Sequence, residues 1–383
     1  APAPADGRDV ELGPAPAAPE VPEAPEAPGR PEPDHDAEVP ETCKLVPYEG
    51  DAKAADPAGG YAAALRAAER CAQHLKLPAF VFLWYFFNVQ YNLENKRLLR
   101  VFSATWAVSW LQLFAGVPLS ALMWASGFVQ KPSASASDLV KLGAVGSFFA
   151  AGQWATVASL SAVAVSFTHV VKALEPAINA VASAFILGQV FHPAVYAALV
   201  PIFLGVALAS ASEVSFTFYG FWTALLSNFA LVARNVLATK WGTIGDMGED
   251  KVERKTNQLA VVTIVASIVA FPFALLLPNG LMDFYEAWEL AVSQGESPWR
   301  LAYLLSASCF HFFMYQLSSF WVLSQAPPIT HSVLNTLKRL VVIVFAIVAF
   351  DTPVTAQSAA GTAVAIAGVL LYSVTKSQCS KKG

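Results

Sequence analysis

Long runs of apolar residues recur from residue 79 to residue 375, separated by short breaks of polar residues, glycine and proline. A helix needs roughly 20 mostly apolar residues to cross a bilayer. Ten stretches meet that length, at about 79–97, 104–127, 138–160, 162–189, 193–211, 216–240, 257–278, 299–323, 330–350 and 355–375. The third and fourth are separated only at Ser161. The connections 241–256 and 279–298 carry several charges and are predicted to be solvated loops. Ahead of the first span, YAAALRAAERCAQHLKL (61–77) has the pattern of a short amphipathic lead-in helix. Residues 1–60 repeat Ala, Pro and Glu, a composition that buries too little apolar surface to fold, so a disordered tail is expected there. That tail lacks the apolar run of a signal peptide and the Arg- and Ser-rich, acid-poor character of a transit peptide.

Composition agrees with the pattern. The chain is 55% hydrophobic and 14% charged, with a mean hydropathy of +0.49, which fits a polytopic membrane protein better than a soluble enzyme. Charge is unevenly spread. Residues 1–60 hold 14 acidic and 4 basic side chains, a net of −10, and the remainder holds 14 and 20, a net of +6. Cys43, Cys71, Cys309 and Cys379 show neither metal nor redox spacing, so no disulfide framework, metal site or cofactor is expected. Nor is a nucleic-acid partner; the expected surroundings are lipid. With ten spans the two termini share a face. Lys131, Lys240, Lys251, Arg254, Lys255, Lys376 and the basic tail 377–383 fall on it, and Glu213, Asp283, Glu286, Glu289, Glu296 and Asp351 on the other, with Lys96, Arg97 and Arg100 of the first loop as that face's exception.

The candidate chemistry lies in charges that the spans should not contain. PITHSVLNTLKRLVVIVFAIVAF (328–350) could cross a bilayer, yet Lys338 and Arg339 sit near its middle. Each costs about 2.5–3.5 kcal/mol at a helix centre on insertion scales. Snorkelling to an interface is disfavoured because Thr330 to Leu337 already supplies two helical turns before them. Lys172 lies in the fourth span and Arg234 late in the sixth. Glu175, three residues after Lys172, is the acid that could pair with it along the helix. These four cations and one acid leave +3, with no other acid expected at that depth, so an anion from outside is inferred. Gln153, Thr156 and Tyr315 are the polar residues that could shape its site, and His169 and His331 are assigned to helix contacts.

Two half-chains, about 78–212 and 213–376, look related. FTHV (167–170) matches ITHSV (329–333), and GVALAS (205–210) matches GVLLYS (368–373), at nearly the same offset. Five spans per copy forces the second copy to enter the membrane inverted. Inverted repeats place a site near the midplane, between the copies, where alternating access can reach it. A phosphate dianion or a phosphorylated C3 acid suits Lys as a point charge and Arg as a fork.

VAVSFTHVVKALEP (163–176) and APPITHSVLNTLKR (326–339), with WYFFN (84–88) and GTAVAIAGV (361–369), resemble the plastid phosphate translocator family of the drug/metabolite transporter superfamily over most of 79–376. The resemblance implies an all-α integral membrane protein of ten transmembrane helices in two inverted repeats of five. It also implies exchange of inorganic phosphate for triose phosphate, 3-phosphoglycerate or phosphoenolpyruvate across a plastid inner membrane. It puts the family's phosphate-binding residues on Lys172, Lys338 and Arg339, and its further Arg, Thr and Tyr on Arg234, Thr156 and Tyr315. Gln153 departs from the pattern. Triose-phosphate members have His there and phosphoenolpyruvate members Asn, which implies a chain accepting both substrate types. The rival within transport is a nucleotide-sugar exchanger of the secretory pathway; a passive anion channel is a third reading. An intramembrane transferase would need carboxylate clusters that the spans lack, so no enzyme activity is expected.

Overall fold

The computed structural model describes residues 57–242 and 244–380, with side chains from Leu75 onward except at 328, 329 and 380. The expected acidic tail therefore lies almost wholly outside the described residues, as does the end of the basic tail. The fold below is that of the unit Ala62–Gly383.

The described residues are helical throughout: α1 (Pro57–Leu99), α2 (Thr105–Ala125), α3 (Ala136–Ala162), α4 (Val165–Val171), α5 (Glu175–Leu187), α6 (Pro193–Ala197), α7 (Val200–Ala211), α8 (Phe218–Trp241), α9 (Lys251–Leu276), α10 (Phe284–Ser293), α11 (Pro298–Gln325), α12 (Pro328–Phe350) and α13 (Ala356–Ser380). They carry no strand; Ser133 and Asp246 form an isolated bridge. Local chemistry sets the ends. Ser135 and Asp138 form a capping box on α3, Asp250 accepts the Val252 and Glu253 amides at the start of α9, and α5 stops at Gly188 with φ 68°.

Seven described spans are long and apolar enough to cross a membrane: α2, α4 with α5, α6 with α7, α8, α9, most of α12, and α13. The sequence pattern predicts ten. The other three runs lie in α1, α3 and α11, which are helical along their length. Buried polar residues dilute their hydropathy: Asn88, Asn92, Glu94 and Asn95 on α1, Gln153, Thr156 and Ser159 on α3, Ser308 and Ser318 on α11. These helices line the interior rather than face lipid alone.

Two expectations need correction. The 279–298 connection is not simply a solvated loop, because α10 lies within it. Phe284, Ala287, Trp288 and Ala291 recur at helical spacing; Ala287 and Ala291 are buried, and Phe284 and Trp288 stack near Phe102 at 5.1 and 6.4 Å. The predicted lead-in helix is not a separate element either, since α1 runs without a break through Pro78.

Packing runs between the halves. Gly205 on α7 and Gly361 on α13 let two backbones touch: a Cβ on Gly205 would overlap the Ala365 backbone, and one on Gly361 that of Ala209. At one end, α1, α2, α3, α4, α11 and α12 close over an apolar plug containing Leu98, Phe102, Leu160, Val165, Leu304 and Val342. The 241–256 connection is tethered to the α2–α3 turn. Asn257 donates to the carbonyls of Gln130 and Met247 at 2.9 and 3.0 Å and accepts from Trp124 Nε1 at 2.9 Å.

Candidate functional site

Pro176 begins the site. Lacking an N–H, it cannot bond to the carbonyl of Lys172 four residues back, so the helix breaks there. The chain runs as α4, a 3-10 turn over Lys172–Leu174, then α5. The break exposes two carbonyls. Val171 O is taken by Asn228 Nδ2 of α8 at 3.0 Å. Lys172 O accepts the Glu175 amide and the guanidinium of Arg339 on α12. Arg339 also pairs with the Glu175 carboxylate. One arginine thus joins the broken span of the first half to the dibasic span of the second.

Glu175 is therefore not paired with Lys172 along the helix, the alternative that its i+3 spacing left open. Lys172 Nζ turns to α3 instead and donates to Thr156 Oγ1 at 2.9 Å, while Thr156 donates to Gly152 O at 2.8 Å. Lys338 Nζ stands 4.7 Å over the ring of Trp84 on α1, and His331, two turns before it, stacks on the same tryptophan at 4.8 Å. Tyr85 OH donates to Leu334 O at 2.6 Å and so holds the turn that carries Lys338. Arg234 on α8 lies 4.7 Å over Phe149 and donates to Asn235 Oδ1 at 2.9 and 3.1 Å. Of the four expected cations, only Arg339 meets a carboxylate among the described residues.

A cavity of about 700 Å³ runs between α3, α5, α8, α9, α11, α12 and α13. Arg234, Glu175, Arg339, His331 and Asn335 line its inner part. Lys172, Lys338, Thr156, Gln153 and Tyr315 are not in its wall. Gln153 Nε2 donates to Tyr91 OH at 3.0 Å and to Gln112 Oε1 at 2.6 Å, and Gln112 Nε2 donates to Asn95 Oδ1 at 2.8 Å. Tyr315 packs on Tyr91 and Phe312, with centroids 5.2 and 5.5 Å apart. His169 keeps its expected helix contact, to Asn92 Oδ1 at 2.9 Å; His331 contacts Ser319 at 3.3 Å and also reaches the cavity.

A correction concerns acids at depth. Glu94 on α1 is 4% exposed and lies 2.5 Å from His311 Nδ1 on α11. It fell within the first predicted span and was overlooked. Trp84 and Gln112 are also residues that the sequence reading gave no role. For Trp84 the signal was present, as the first residue of WYFFN; for Gln112 a lone amide in an apolar run was the only one.

Residues 75–373 match the model of the Triose-phosphate Transporter family. The chain is 37% identical over 309 residues to phosphoenolpyruvate/phosphate translocator 1, chloroplastic, of Oryza sativa subsp. japonica, covering 80% of this chain and 73% of that one. It is 35% identical over 329 residues to glucose-6-phosphate/phosphate translocator 1, chloroplastic, of Arabidopsis thaliana, covering 86% and 82%. It is 35% identical over 302 residues to triose phosphate/phosphate translocator, non-green plastid, chloroplastic, of Brassica oleracea var. botrytis, covering 79% and 73%.

Proposed function

This chain belongs to the Triose-phosphate Transporter family, and on that premise we propose an antiporter of a plastid membrane. It exchanges inorganic phosphate for phosphorylated C3 compounds: triose phosphate, 3-phosphoglycerate and phosphoenolpyruvate. The reading includes ten transmembrane helices in two inverted halves of five, working by alternating access. The α7–α13 contact supports it: Gly205 meets Ala365 and Gly368 meets Ile202, positions exchanged by the offset of 163 between the matched runs.

The observation that carries the proposal is the cavity lined by Arg234 and Arg339, whose inner carboxylate, Glu175, is already engaged by Arg339. Lys172 and Lys338 are held by a hydroxyl and an aromatic ring rather than by a carboxylate. A phosphate dianion entering there meets one guanidinium fork and, as the helices close, two ammonium groups. A phosphorylated C3 acid brings about −3, since the second phosphate pKa is near 6. That balances the +3 of Lys172, Arg234, Lys338, Arg339 and Glu175. Sealing unbalanced cations away from water costs several kcal/mol per ion, and a bound anion removes the cost. Closure then requires cargo, which makes the transport an exchange.

Gln153 is proposed as a selectivity residue. Its amide is held in place by Tyr91 and Gln112, so it presents a defined polar face. The test is phosphate counter-exchange in liposomes against a panel of esters. Competition by triose phosphate, 3-phosphoglycerate and phosphoenolpyruvate supports the proposal. Competition by glucose 6-phosphate alone moves the substrate to hexose phosphates, and competition by UMP or GMP but not C3 esters moves it to nucleotide sugars.

A further inference from the structure

The cavity has a second group of cations that the exchange site does not use. Arg254 and Lys255 at the start of α9 and Lys376 near the end of α13 line it together with Gly242, Ile244 and Met247. They stand apart from the inner site. Val369, which lines the same recess as Arg339, is two helical turns before Lys376 on one face of α13. Seven residues at 1.5 Å each put Lys376 about 10 Å further along the cavity. All three cations are partly exposed, and each is held by something other than a carboxylate. Arg254 donates to the carbonyls of Gly248 and Glu249 at 3.3 and 2.9 Å. Lys255 donates to Gln258 Oε1 at 3.1 Å. Lys376 lies 4.4 Å over Phe191, with Tyr372 OH 3.4 Å from its ammonium.

Three acids of the neighbouring turn are occupied elsewhere, and the fourth, Glu249, is exposed. Asp250 caps α9, Glu253 accepts the Gln130 amide at 2.7 Å, and Asp246 accepts the Gly248 amide at 3.2 Å. None of them lines the cavity. The outer end is therefore a cation-only ring fixed on two helices from opposite sides. A cleft lined by one sign of charge between low-dielectric walls concentrates counter-ions and raises their on-rate by about tenfold or more. The spacing of about 10 Å is close to one Debye length at physiological salt, so an anion at the ring still feels the inner cations.

We propose that Arg254, Lys255 and Lys376 form an outer anion subsite, where a phosphate or phosphate ester docks before it passes to Arg234 and Arg339. The subsite rests on the proposed exchange only for its physiological cargo; phosphate binding at the ring stands without it. The ring sets the capture rate and leaves the transport step to the inner site.

The test uses the full chain with inorganic phosphate. In liposomes, Lys255→Gln/Lys376→Gln raises KM for phosphate about tenfold at low salt, with kcat unchanged and the salt dependence of KM flattened. Lys251→Gln, on the same face but outside the cavity wall, serves as the control and keeps the wild-type KM. In detergent, Arg339→Ala still binds labelled phosphate weakly and salt-sensitively, and adding Lys255→Gln/Lys376→Gln removes that binding. A double variant with wild-type KM and salt slope overturns the subsite, as does an equal effect of Lys251→Gln or loss of all binding in Arg339→Ala. If the double variant does not fold, Lys376→Gln alone and its rescue by Lys376→Arg give the same decision. Absence of exchange by the wild type together with ring-dependent binding in Arg339→Ala would defeat the antiport reading and leave the subsite standing.

Discussion

Two of the places in the helix bundle that hold charge are finished differently. At the α1–α11 contact, Glu94 meets His311 at 2.5 Å, and the pair is complete within the protein. Between α3, α4, α8 and α12, four cations converge on one carboxylate, and only Arg339 reaches it. The others rest on Thr156, Trp84 and Phe149. A pair whose members satisfy each other can stay buried through every conformation. A cluster of excess charge cannot be sealed cheaply without an incoming anion. On the proposed reading the first contact is structural and the second is a binding site, although both consist of ionisable residues inside helices.

The largest expected effect is at the cluster. Lys338→Ala removes an ammonium destined for phosphate, and losing one member of a buried charge contact costs about 2–5 kcal/mol. Phosphate counter-exchange should fall about 30-fold or more while the protein still inserts; wild-type rates would remove Lys338 from the site. At the closed pair the readout reverses. His311→Leu leaves Glu94 buried without its partner and should cost about 3–5 kcal/mol of stability, read as a lower melting temperature in detergent, with KM for phosphate unchanged. Replacing both residues by Leu should recover most of that loss, and a KM change in the double variant would make the pair functional.

Smaller effects sharpen the contrast. Gln153→His alters one hydrogen-bonding group, worth about 1 kcal/mol or a factor of about five. It should lower the preference for phosphoenolpyruvate relative to 3-phosphoglycerate, and an unchanged ratio denies Gln153 a selective role. Trp84→Leu removes a cation–π contact of about 0.5–1 kcal/mol that Lys338 must leave to reach phosphate. Phosphate Kd should fall about two- to fivefold; a raised Kd would mean that Trp84 supports the bound position instead.

Much of this was readable along the chain. Charge inside an apolar run is rare enough that Lys172, Arg234, Lys338 and Arg339 stand out without coordinates. Every one of the ten predicted apolar runs falls on helix, though α1, α3 and α11 carry too many buried polar residues to pass as spans by composition. What each cation touches was not readable, because Trp84 lies on a helix far from Lys338 in sequence and the break before Pro176 decides which way Lys172 turns relative to Thr156 on the preceding helix. The pairing of Glu175 with Arg339 depends on a helix break that Pro176 announces locally but whose direction only packing decides. Glu94 was missed because one acid near the end of a span looks like part of the charged turn that follows it. The helix α10 was readable from its spacing and was hidden by four nearby carboxylates.

The central claim is that excess interior cations make closure depend on cargo. Labelled phosphate uptake into liposomes tests it most directly, with 3-phosphoglycerate, inorganic phosphate or potassium gluconate trapped inside. The account predicts rapid, saturable uptake in the first two cases and almost none in the third. Equal uptake with gluconate inside would contradict it and point to an anion channel.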